Sequence, residues 1–441
     1  MGTSKIIFLL KILLINKLEN IKSNEKRSRP AIKWKASLNF YLIYIKGSNY
    51  FLVAFNHCLK SGKMYREENE TYWGIHKLNS NLKQLNNIIN EIEDVNKEII
   101  IEADRRMTSL AKPLKSLGKL EEIAIKLSGI TGQVKNKITK KVVIIMSSDN
   151  GVVEEGVASA PQSVTLAQTI NFTKGLTGVA VLSKANNTEL MVVDVGINCD
   201  FNHPDVINKK IRKSTYNMTK GPAMSYEEAR KAILIGIECV KDAKNLGYEI
   251  IGVGEMGIGN TSTSSAVLSS LTDIKVEDVV GRGGGITDET FEWKKVVIKK
   301  AIELNKPIKE DPIDVVSKVG GFDIAAMAGV FLGSAYYKIP VVIDGFISVV
   351  AALIAFRLNP KTREYMFTSH SSRELGFNVV MKELDLSPIL NLDMALGEGS
   401  GCPLAFSIID SACAIMNNMA TFEEAEINDS YLDELKEMDN M

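Results

Sequence analysis

The chain has 441 residues, of which 45% are hydrophobic, so it is long enough to build a large core and more than one domain. Its 53 basic and 53 acidic residues cancel, which gives no global signal for a nucleic-acid or membrane partner. Five cysteines without a CxxC pair indicate free thiols in a reducing compartment, and we expect a cytoplasmic protein. The four scattered histidines have no metal-ligand spacing, so we expect neither a metal nor another cofactor.

The first 63 residues differ from the rest of the chain in charge. They contain 12 basic and 2 acidic residues, which leaves 41 basic and 51 acidic residues in the remainder. The apolar run IIFLLKILLI is too short to span a bilayer, and no cleavage site of small residues follows it. We expect Met64 to be the natural start and residues 1–63 to be a translated upstream region; the alternative is a basic arm that binds a membrane or RNA.

Residues 76–128 have apolar positions at helical spacing, as in LNSNLKQLNNIINEI and LAKPLKSLGKLEEIAIKL, and these predict helices. Beyond them, short β-branched runs alternate with helical stretches such as SYEEARKAILIGIECVKDAKNLG. The runs are KVVIIMSSDNG (141–151), ELMVVDVG (189–196), YEIIGVGEMG (248–257) and IPVVIDGF (339–346). This alternation predicts an α/β fold with a doubly wound, mostly parallel sheet that binds ligands at the carboxyl ends of its strands. The acidic tail from Glu423 is expected to fray or to form a last helix.

The stretch IIGVGEMGIGNTSTSSAVLSSL (250–271) predicts a strand, a glycine-rich turn and a helix. Backbone N–H groups at such a helix start favour phosphate, so we place one phosphate at residues 257–261. Glu255 is then free for a ribose hydroxyl or a cationic ring. The simpler alternative is a ligand-free turn in which Asn260 and Thr261 cap the helix.

The same stretch formally contains Gly252-x-Gly254-x-x-Gly257, the spacing of a dinucleotide-binding loop. This spacing alone is weak evidence, but it supports an alternative function as an NAD-dependent oxidoreductase. Such an enzyme needs an acidic residue after the next strand to hold the ribose. Asp273 is at a plausible distance, although no clear strand leads to it.

Two further segments carry candidate ligand groups. In VVGRGGGITDETFEWKK (279–295), glycines permit close approach and Lys294 could reach a phosphate; the alternative is a flexible surface loop. In SSDNGVVEEGVASAPQSVTLAQTINF (147–172), a helix is predicted to start near Ser163. The neutral polar side chains of this segment suit a pocket for an uncharged heteroaromatic ring. The alternative is that they only cap the helix and form surface hydrogen bonds. These groups are Ser159, Gln162, Thr165 and Gln168.

The last two motifs lie near the C-terminus. In VVIDGFISVVAALIAFRL (341–358), the helix is apolar on nearly all sides and is expected in the core, while Asp344 either orients a partner group or caps the helix. In MALGEGSGCPLAF (394–406), the single carboxylate of Glu398 stands between glycines that let backbone and ligand come close. A solvated loop carboxylate is the alternative.

In their order and spacing, SSDNGVVEEGV…PQSVT, VVDVG, GVGEMGIGNTS, VGRGGG…D, VVIDGFISVVAAL and LGEGSG resemble the nicotinate-nucleotide–dimethylbenzimidazole phosphoribosyltransferase family. The resemblance covers roughly residues 64–420. It implies transfer of 5-phosphoribosyl from nicotinate mononucleotide to 5,6-dimethylbenzimidazole, giving α-ribazole 5′-phosphate and nicotinate for cobalamin nucleotide-loop assembly. It also implies a Rossmann-like catalytic domain (131–390), a small helical domain from both chain ends (64–130 and 391–441) and a homodimer.

The resemblance implies that Glu398 is the catalytic base and that Glu255 assists near the ribose. The residues implied to bind the nucleotide are Gly257, Gly259, Asn260, Thr261, Gly283, Gly285, Lys294 and Gly397. The residues implied to bind the base are Ser159, Gln162, Thr165 and Gln168. The chain departs from the family at Asn150, where the family often has His, and at Phe377, which replaces the His of a Gly-His pair. Adenine, other benzimidazoles and phenols therefore remain possible acceptors. A catalytically silent nucleotide-binding protein is a further alternative, against which the two glutamates argue.

Overall fold

The computed structural model describes residues 37–46, 49–58 and 83–432, and the chain divides into two compact units, Met1–Lys77 and Leu78–Met441. In the first unit, the strands Ser37–Lys46 and Asn49–Cys58 pair antiparallel. The predicted start at Met64 lies outside the described residues. Within the described ranges, no helix is long and apolar enough to cross a membrane.

The second unit is built on a six-stranded sheet in which every pair of neighbouring strands is parallel. The strands are β1 (Lys141–Ser148), β2 (Thr188–Gly196), β3 (Val206–Asn208), β4 (Ile250–Met256), β5 (Val341–Ile343) and β6 (Met366–Thr368). Their spatial order is β3-β2-β1-β4-β5-β6, the order of a doubly wound sheet. The predicted fold class is therefore confirmed. The four predicted runs form β1, β2, β4 and β5, whereas β3 and β6 were missed because neither three-residue strand lies in a longer apolar run, as the equally short β5 does.

Helices follow and separate these strands. They are α1 (Lys97–Ser109), α2 (Lys119–Thr131), α3 (Ser163–Thr173), α4 (Gly178–Ala185), α5 (Tyr226–Asn245), α6 (Asn260–Thr272), α7 (Val276–Val279), α8 (Asp288–Asn305), α9 (Pro312–Val319), α10 (Phe322–Tyr337), α11 (Phe346–Leu358), α12 (Leu375–Leu384) and α13 (Gly401–Asn418). Residues 83–90 are also helical. The starts near Ser163 and at Asn260 agree with the sequence, and α5 opens at a capping box formed by Ser225 and Glu228.

The core lies on both faces of the sheet. Strand β1 is buried along its whole length, as a central parallel strand should be. Helix α11 is buried from Phe346 to Ala355 except at Ile347, which confirms the expectation of a core helix. Helix α10 is buried over almost its entire length and packs against both α5 and α11.

Helices from the two ends of the second unit pack together, since α2 contacts both α1 and α13. The apolar spacing predicted helix through residues 110–127, but α2 begins only at Lys119. Pro113 and Gly118 explain the difference, because proline blocks a helix interior and glycine favours its end. Residues 430–432 form a short 3₁₀ turn in the acidic tail. Residues 78–441 form a single compact unit that is not divided further. The proposed domain boundaries at residues 130 and 390 therefore stay a prediction.

Candidate active site

A cavity of about 330 Å³ lies at the carboxyl ends of β4 and β5. A doubly wound sheet binds ligands at this edge. The residues singled out from the sequence that line the cavity are Ser159, Gln168, Glu255, Gly257, Gly259, Asn260, Thr261, Gly283, Asp344, Gly397 and Glu398. Gln162, Thr165, Gly285 and Lys294 do not line it. Arg282, His370, Ser372 and Glu374 line it as well, although the sequence analysis gave them no role.

Glu398 sits in a strained loop. Gly397, Glu398 and Gly399 have φ angles of 81°, 64° and 89°, so three consecutive residues adopt the left-handed conformation. This conformation costs glycine nothing but costs a residue with a Cβ about 1 kcal/mol or more. Strain of this kind persists where surrounding contacts hold it and is concentrated at functional sites.

Glu398 is only 6% exposed, and its carboxylate is held by two donors. Gln168 Nε2 donates to Oε1 at 3.0 Å, and the backbone N–H of Val179 donates to Oε2 at 3.2 Å. Val179 lies in the first turn of α4, whose positive end favours a negative charge. A carboxylate oxygen can accept more than one hydrogen bond. The group can therefore still accept a proton from a molecule in the cavity.

Asp344 holds the backbone on the far side of the same loop. Its carboxylate accepts hydrogen bonds from the N–H groups of Gly399 (3.0 Å) and Gly401 (2.7 Å). Burial raises the pKa of Asp344 to about 7, and these hydrogen bonds oppose that shift. Of the two roles that the sequence left open, Asp344 therefore fulfils the first, because it orients the segment that carries Glu398.

His370 lies 3.8 Å from the Asp344 carboxylate, measured from Nδ1 to Oδ1. Burial lowers the pKa of His370 to about 4, so the ring is neutral at physiological pH. Its Nδ1 is also within 3.0 Å of Ser369 Oγ. A single histidine without metal-ligand spacing gave no signal in the sequence, and only the fold places it beside Asp344.

Glu255 forms the floor of the cavity at the end of β4 and is 7% exposed. Its Oε1 accepts the backbone N–H of Glu398 at 3.3 Å, and its Oε2 accepts a hydrogen bond from Asn260 Nδ2. Burial raises the pKa of Glu255 to about 8, and the nearby Asp323 adds to the shift. The Asn260 side chain is thus engaged with acids, and the N-cap of α6 is Gly259, without a side-chain cap. The simpler capping interpretation is wrong for Asn260.

Two of the three glycines of the dinucleotide-like spacing lie inside a strand, and the third, Gly257, follows it. Gly252 and Gly254 are buried residues of β4, where a Cβ on Gly252 would clash with Cys402 and one on Gly254 with the Glu398 carbonyl oxygen. Both glycines therefore make room for the Glu398 loop and α13. Asp273 ends helix α6 and forms an ion pair with Lys309. The geometry gives the oxidoreductase alternative no support.

The second glycine loop is tied to the start of α6. Lys294 is 1% exposed, and its Nζ donates to Thr261 Oγ1 at 2.9 Å and to the Gly281 carbonyl at 3.0 Å. Burial lowers the pKa of Lys294 to about 8. Gly283, with a φ of 56°, donates its N–H to Glu374 Oε1 at 3.1 Å. Lys294 therefore fixes the two loops to each other from behind the cavity wall.

The four residues that the family resemblance assigns to binding of the acceptor base divide into two pairs. Ser159 and Gln168 line the cavity. Gln162 instead donates to the Asn150 carbonyl at 3.1 Å, and Thr165 is fully buried, with its hydroxyl accepting the Ile258 N–H at 3.2 Å. Gln162 and Thr165 thus support the wall rather than line the cavity.

Comparison with known proteins agrees with this geometry. Residues 92–427 match the model of a family described as phosphoribosyltransferase. Nicotinate-nucleotide–dimethylbenzimidazole phosphoribosyltransferase of Clostridium perfringens is 62% identical over 353 residues, covering 80% of this chain and 98% of that protein. The enzyme of the same name from Clostridium acetobutylicum is 52% identical over 343 residues, covering 78% and 97%. The crystal structure of the Thermus thermophilus enzyme of this name has a TM-score of 0.71 at 36% identity and covers 76% of this chain and 99% of that one. The chain therefore belongs to the nicotinate-nucleotide–dimethylbenzimidazole phosphoribosyltransferase family.

Proposed function

We propose that the protein transfers the 5-phosphoribosyl group of nicotinate mononucleotide to 5,6-dimethylbenzimidazole or a related base. The products are nicotinate and α-ribazole 5′-phosphate, which serves cobalamin nucleotide-loop assembly. The observation that carries the proposal is the Glu398 carboxylate, which two N–H donors hold at the wall of a cavity shared with both glycine loops. The names of the relatives supply the two substrates.

The chemistry needs one base and accurate positioning. A ring nitrogen of the benzimidazole attacks the anomeric carbon from the face opposite nicotinate, which inverts β to α. The bond to nicotinate breaks, and its electron pair neutralises the pyridinium nitrogen, so the leaving group needs no general acid. The newly bonded ring is cationic and loses the proton on its other nitrogen to Glu398. Much of the remaining rate enhancement comes from holding two substrates in line.

The nucleotide half of the site is proposed at the start of α6 and the 281–285 loop. Helix α6 begins without a side-chain cap, which leaves its positive end for the phosphate. Lys294 acts through Thr261 by fixing its hydroxyl. The residues that we assign to this half are Gly257, Gly259, Asn260, Thr261, Gly283, Gly285, Lys294 and Gly397.

The base half is proposed between Glu398 and the loop that leads into α3. Ser159 and Gln168 contact the base, while Gln162 and Thr165 shape the wall behind it. Asn150 and Phe377 mark departures from the family pattern, so we include adenine, other benzimidazoles and phenols among the candidate acceptors. We further propose a cytoplasmic homodimer without a nucleic-acid or membrane partner, which is what the family resemblance implies.

The test is incubation of the purified protein with nicotinate mononucleotide and 5,6-dimethylbenzimidazole, with products separated by liquid chromatography and identified by mass spectrometry. Glu398→Gln removes the base but keeps the shape, and Glu102→Gln is the matched control on the exposed face of α1. Wild type and control should form nicotinate and ribazole phosphate, and Glu398→Gln should lose activity by at least about 100-fold.

Other results have distinct meanings. Absence of product from folded wild type with every base in a panel of adenine, benzimidazoles and phenols would contradict the proposal and favour a silent nucleotide-binding protein. Full activity of Glu398→Gln would retain the reaction and remove Glu398 as its base. Tight binding and fluorescence quenching of NADH would revive the oxidoreductase alternative.

A further inference from the structure

Two buried acids, one in the cavity floor and one behind it, share one side-chain amide donor. Asn260 Nδ2 donates to Glu255 Oε2 and also, at 3.1 Å, to Asp323 Oδ2. Glu255 is 7% exposed and Asp323 is fully buried. Within the part of the chain that the structure describes, neither carboxyl group forms an ion pair. Two buried carboxylates joined by one neutral amide cannot both be ionised cheaply, so the pair retains one proton near neutral pH.

The surroundings of the two acids decide which one keeps the proton. Asp323 lies in the first turn of α10, a 16-residue helix whose positive end favours a negative charge. Arg212, which packs 5.2 Å from the ring of the adjacent Phe322, is ion-paired with Glu228. Both the helix end and the hydrogen bond from Asn260 therefore stabilise Asp323 when it is ionised.

Glu255 has the opposite environment. Asp344 lies near it at the end of β5 and Asp323 on α10, whereas Glu398 contacts it through a backbone N–H that donates to Oε1. The neighbouring His370 is neutral and offers no compensating charge. Burial and the two neighbouring acids outweigh the hydrogen bonds from Asn260 and Glu398 and favour the neutral form of Glu255.

We propose that Asp323 is a positioning residue that carries the negative charge of this pair and thereby keeps Glu255 as a neutral acid facing the cavity. A neutral carboxyl group can donate a hydrogen bond to a ribose oxygen of the mononucleotide, which a carboxylate cannot do. The site would then hold one acid, Glu255, and one base, Glu398. The order of the pKa values agrees, since burial raises the pKa of Glu255 to about 8 and that of Asp323 to about 6.

The protonation state of Glu255 is measured first on the protein without substrates, which makes this test independent of the proposed reaction. Glutamate labelled with ¹³C at its side-chain carboxyl is followed by NMR during a pH titration, and Glu255→Gln assigns the signal. In the wild type, the Glu255 resonance should titrate above about pH 6.5. In Asp323→Asn, its midpoint should fall by at least about one pH unit, because the repelling charge is gone. A wild-type midpoint below about pH 6 overturns the proposal, and so does an unchanged midpoint in a folded Asp323→Asn. If that variant does not fold, the wild-type titration decides.

The pH dependence of kcat/KM for nicotinate mononucleotide tests the consequence, and this arm rests on the proposed function. If a protonated Glu255 is needed, activity falls as pH rises through its pKa, so Asp323→Asn should shift the alkaline limb to lower pH. In a Glu255→Gln background the same substitution should leave the limb in place, because glutamine does not titrate. Asp242→Asn, on the exposed face of α5, is the matched control. A merely structural Asp323 would lower activity at every pH without moving the limb. If the wild type shows no transfer activity but gives the expected NMR titration, the proposed reaction is refuted and the assignment of charge to Asp323 and Glu255 still stands.

Discussion

Gln168 Nε2 lies 3.0 Å from Glu398 Oε1, although 230 residues separate the two in the chain. The amide of Gln168 is itself oriented, because Asn171 Nδ2 donates to its Oε1 at 3.1 Å. With the oxygen of Gln168 occupied by Asn171, its nitrogen is turned to the carboxylate. A short chain of amides on α3 therefore aims the proposed base, in the manner of a supporting shell around a catalytic group.

Removing this support should weaken catalysis without changing the reaction. We predict that Gln168→Ala lowers kcat about 10-fold, equivalent to about 1.4 kcal/mol, because one hydrogen bond to a charged group is lost. Asn171→Ala should have a smaller effect in the same direction. Steady-state kinetics with Gln133→Ala, an exposed position beyond α2, as control will measure this. An unchanged kcat in Gln168→Ala would show that the base is positioned by α4 and the glycine loop alone.

The close approach of β4 to the Glu398 loop gives a second prediction. A Cβ on Gly254 would clash with the Glu398 carbonyl oxygen, and that atom belongs to rigid backbone. Gly254→Ala should therefore displace the loop, lower kcat by more than about 10-fold and destabilise the protein by about 1–3 kcal/mol. Kinetics and urea unfolding measure the two effects.

Gly333→Ala is the matched control for this substitution. Gly333 lies on α10 against Ile237 and Val240 of α5, so a methyl group there disturbs helix packing rather than the cavity. It should lower stability and leave kcat unchanged. Equal losses of kcat in both variants would mean that Gly254 matters for stability rather than for the position of Glu398.

The sequence predicted the sheet and much of the cavity lining for a physical reason. Buried parallel strands must be nearly continuous apolar runs, and polar residues at their ends meet at one edge. The run ending in Glu255 and the run before Asp344 are of this kind, and both residues line the cavity. Family motifs then supplied Glu398, whose isolated carboxylate among glycines gave a chemical signal of its own.

The remaining contacts depend on distances that no local pattern contains. Lys294 was expected to reach a phosphate, yet its side chain lies behind the wall, because α8 packs beside α6 and directs it to Thr261. Glu374 and His370 line the cavity from the segment after β6, a short strand that lies in no longer apolar run. The two glycines of β4 belong to a dinucleotide-like spacing in sequence, but packing against α13 and the Glu398 loop explains them in the fold.

The link from Lys294 to the two loops gives a third prediction. Lys294→Met keeps the length and apolar stem but removes the hydrogen bonds to Thr261 and Gly281. The KM for nicotinate mononucleotide should rise about 10-fold, because the phosphate donors of the two loops lose their common anchor. The KM for the base should change little, and Lys300→Met, on the exposed face of α8, is the control. Equal increases for both substrates would contradict a role confined to the nucleotide half.

Buried ionisable groups give a fourth prediction, on the pH dependence of stability. The pKa of Glu255 is raised from an ordinary 4.5 to about 8, so between these values the folded state binds the proton more tightly than the unfolded state. Stability must therefore fall as pH rises through this range. His370, whose pKa is lowered from 6.5 to about 4, acts in the opposite direction, but only below pH 6.5. Lys126 and Lys294, with pKa values lowered to about 8, increase stability with pH chiefly above that value.

Between about pH 6.5 and 8, the pH dependence of stability therefore comes chiefly from the buried acids. We predict that the free energy of unfolding of the wild type falls by on the order of 2 kcal/mol across this window, since one fully titrating group contributes about 1.4 kcal/mol per pH unit. Glu255→Gln should remove the larger part of this slope, because glutamine binds no proton in either state, and Asp344, with its pKa raised to about 7, supplies the remainder. Glu102→Gln should leave the slope intact. Urea unfolding at pH 6.5, 7.25 and 8 measures the three proteins in parallel. A wild-type stability that rises across the window, or an undiminished slope in Glu255→Gln, would show that Glu255 is already ionised at pH 6.5 in the folded protein.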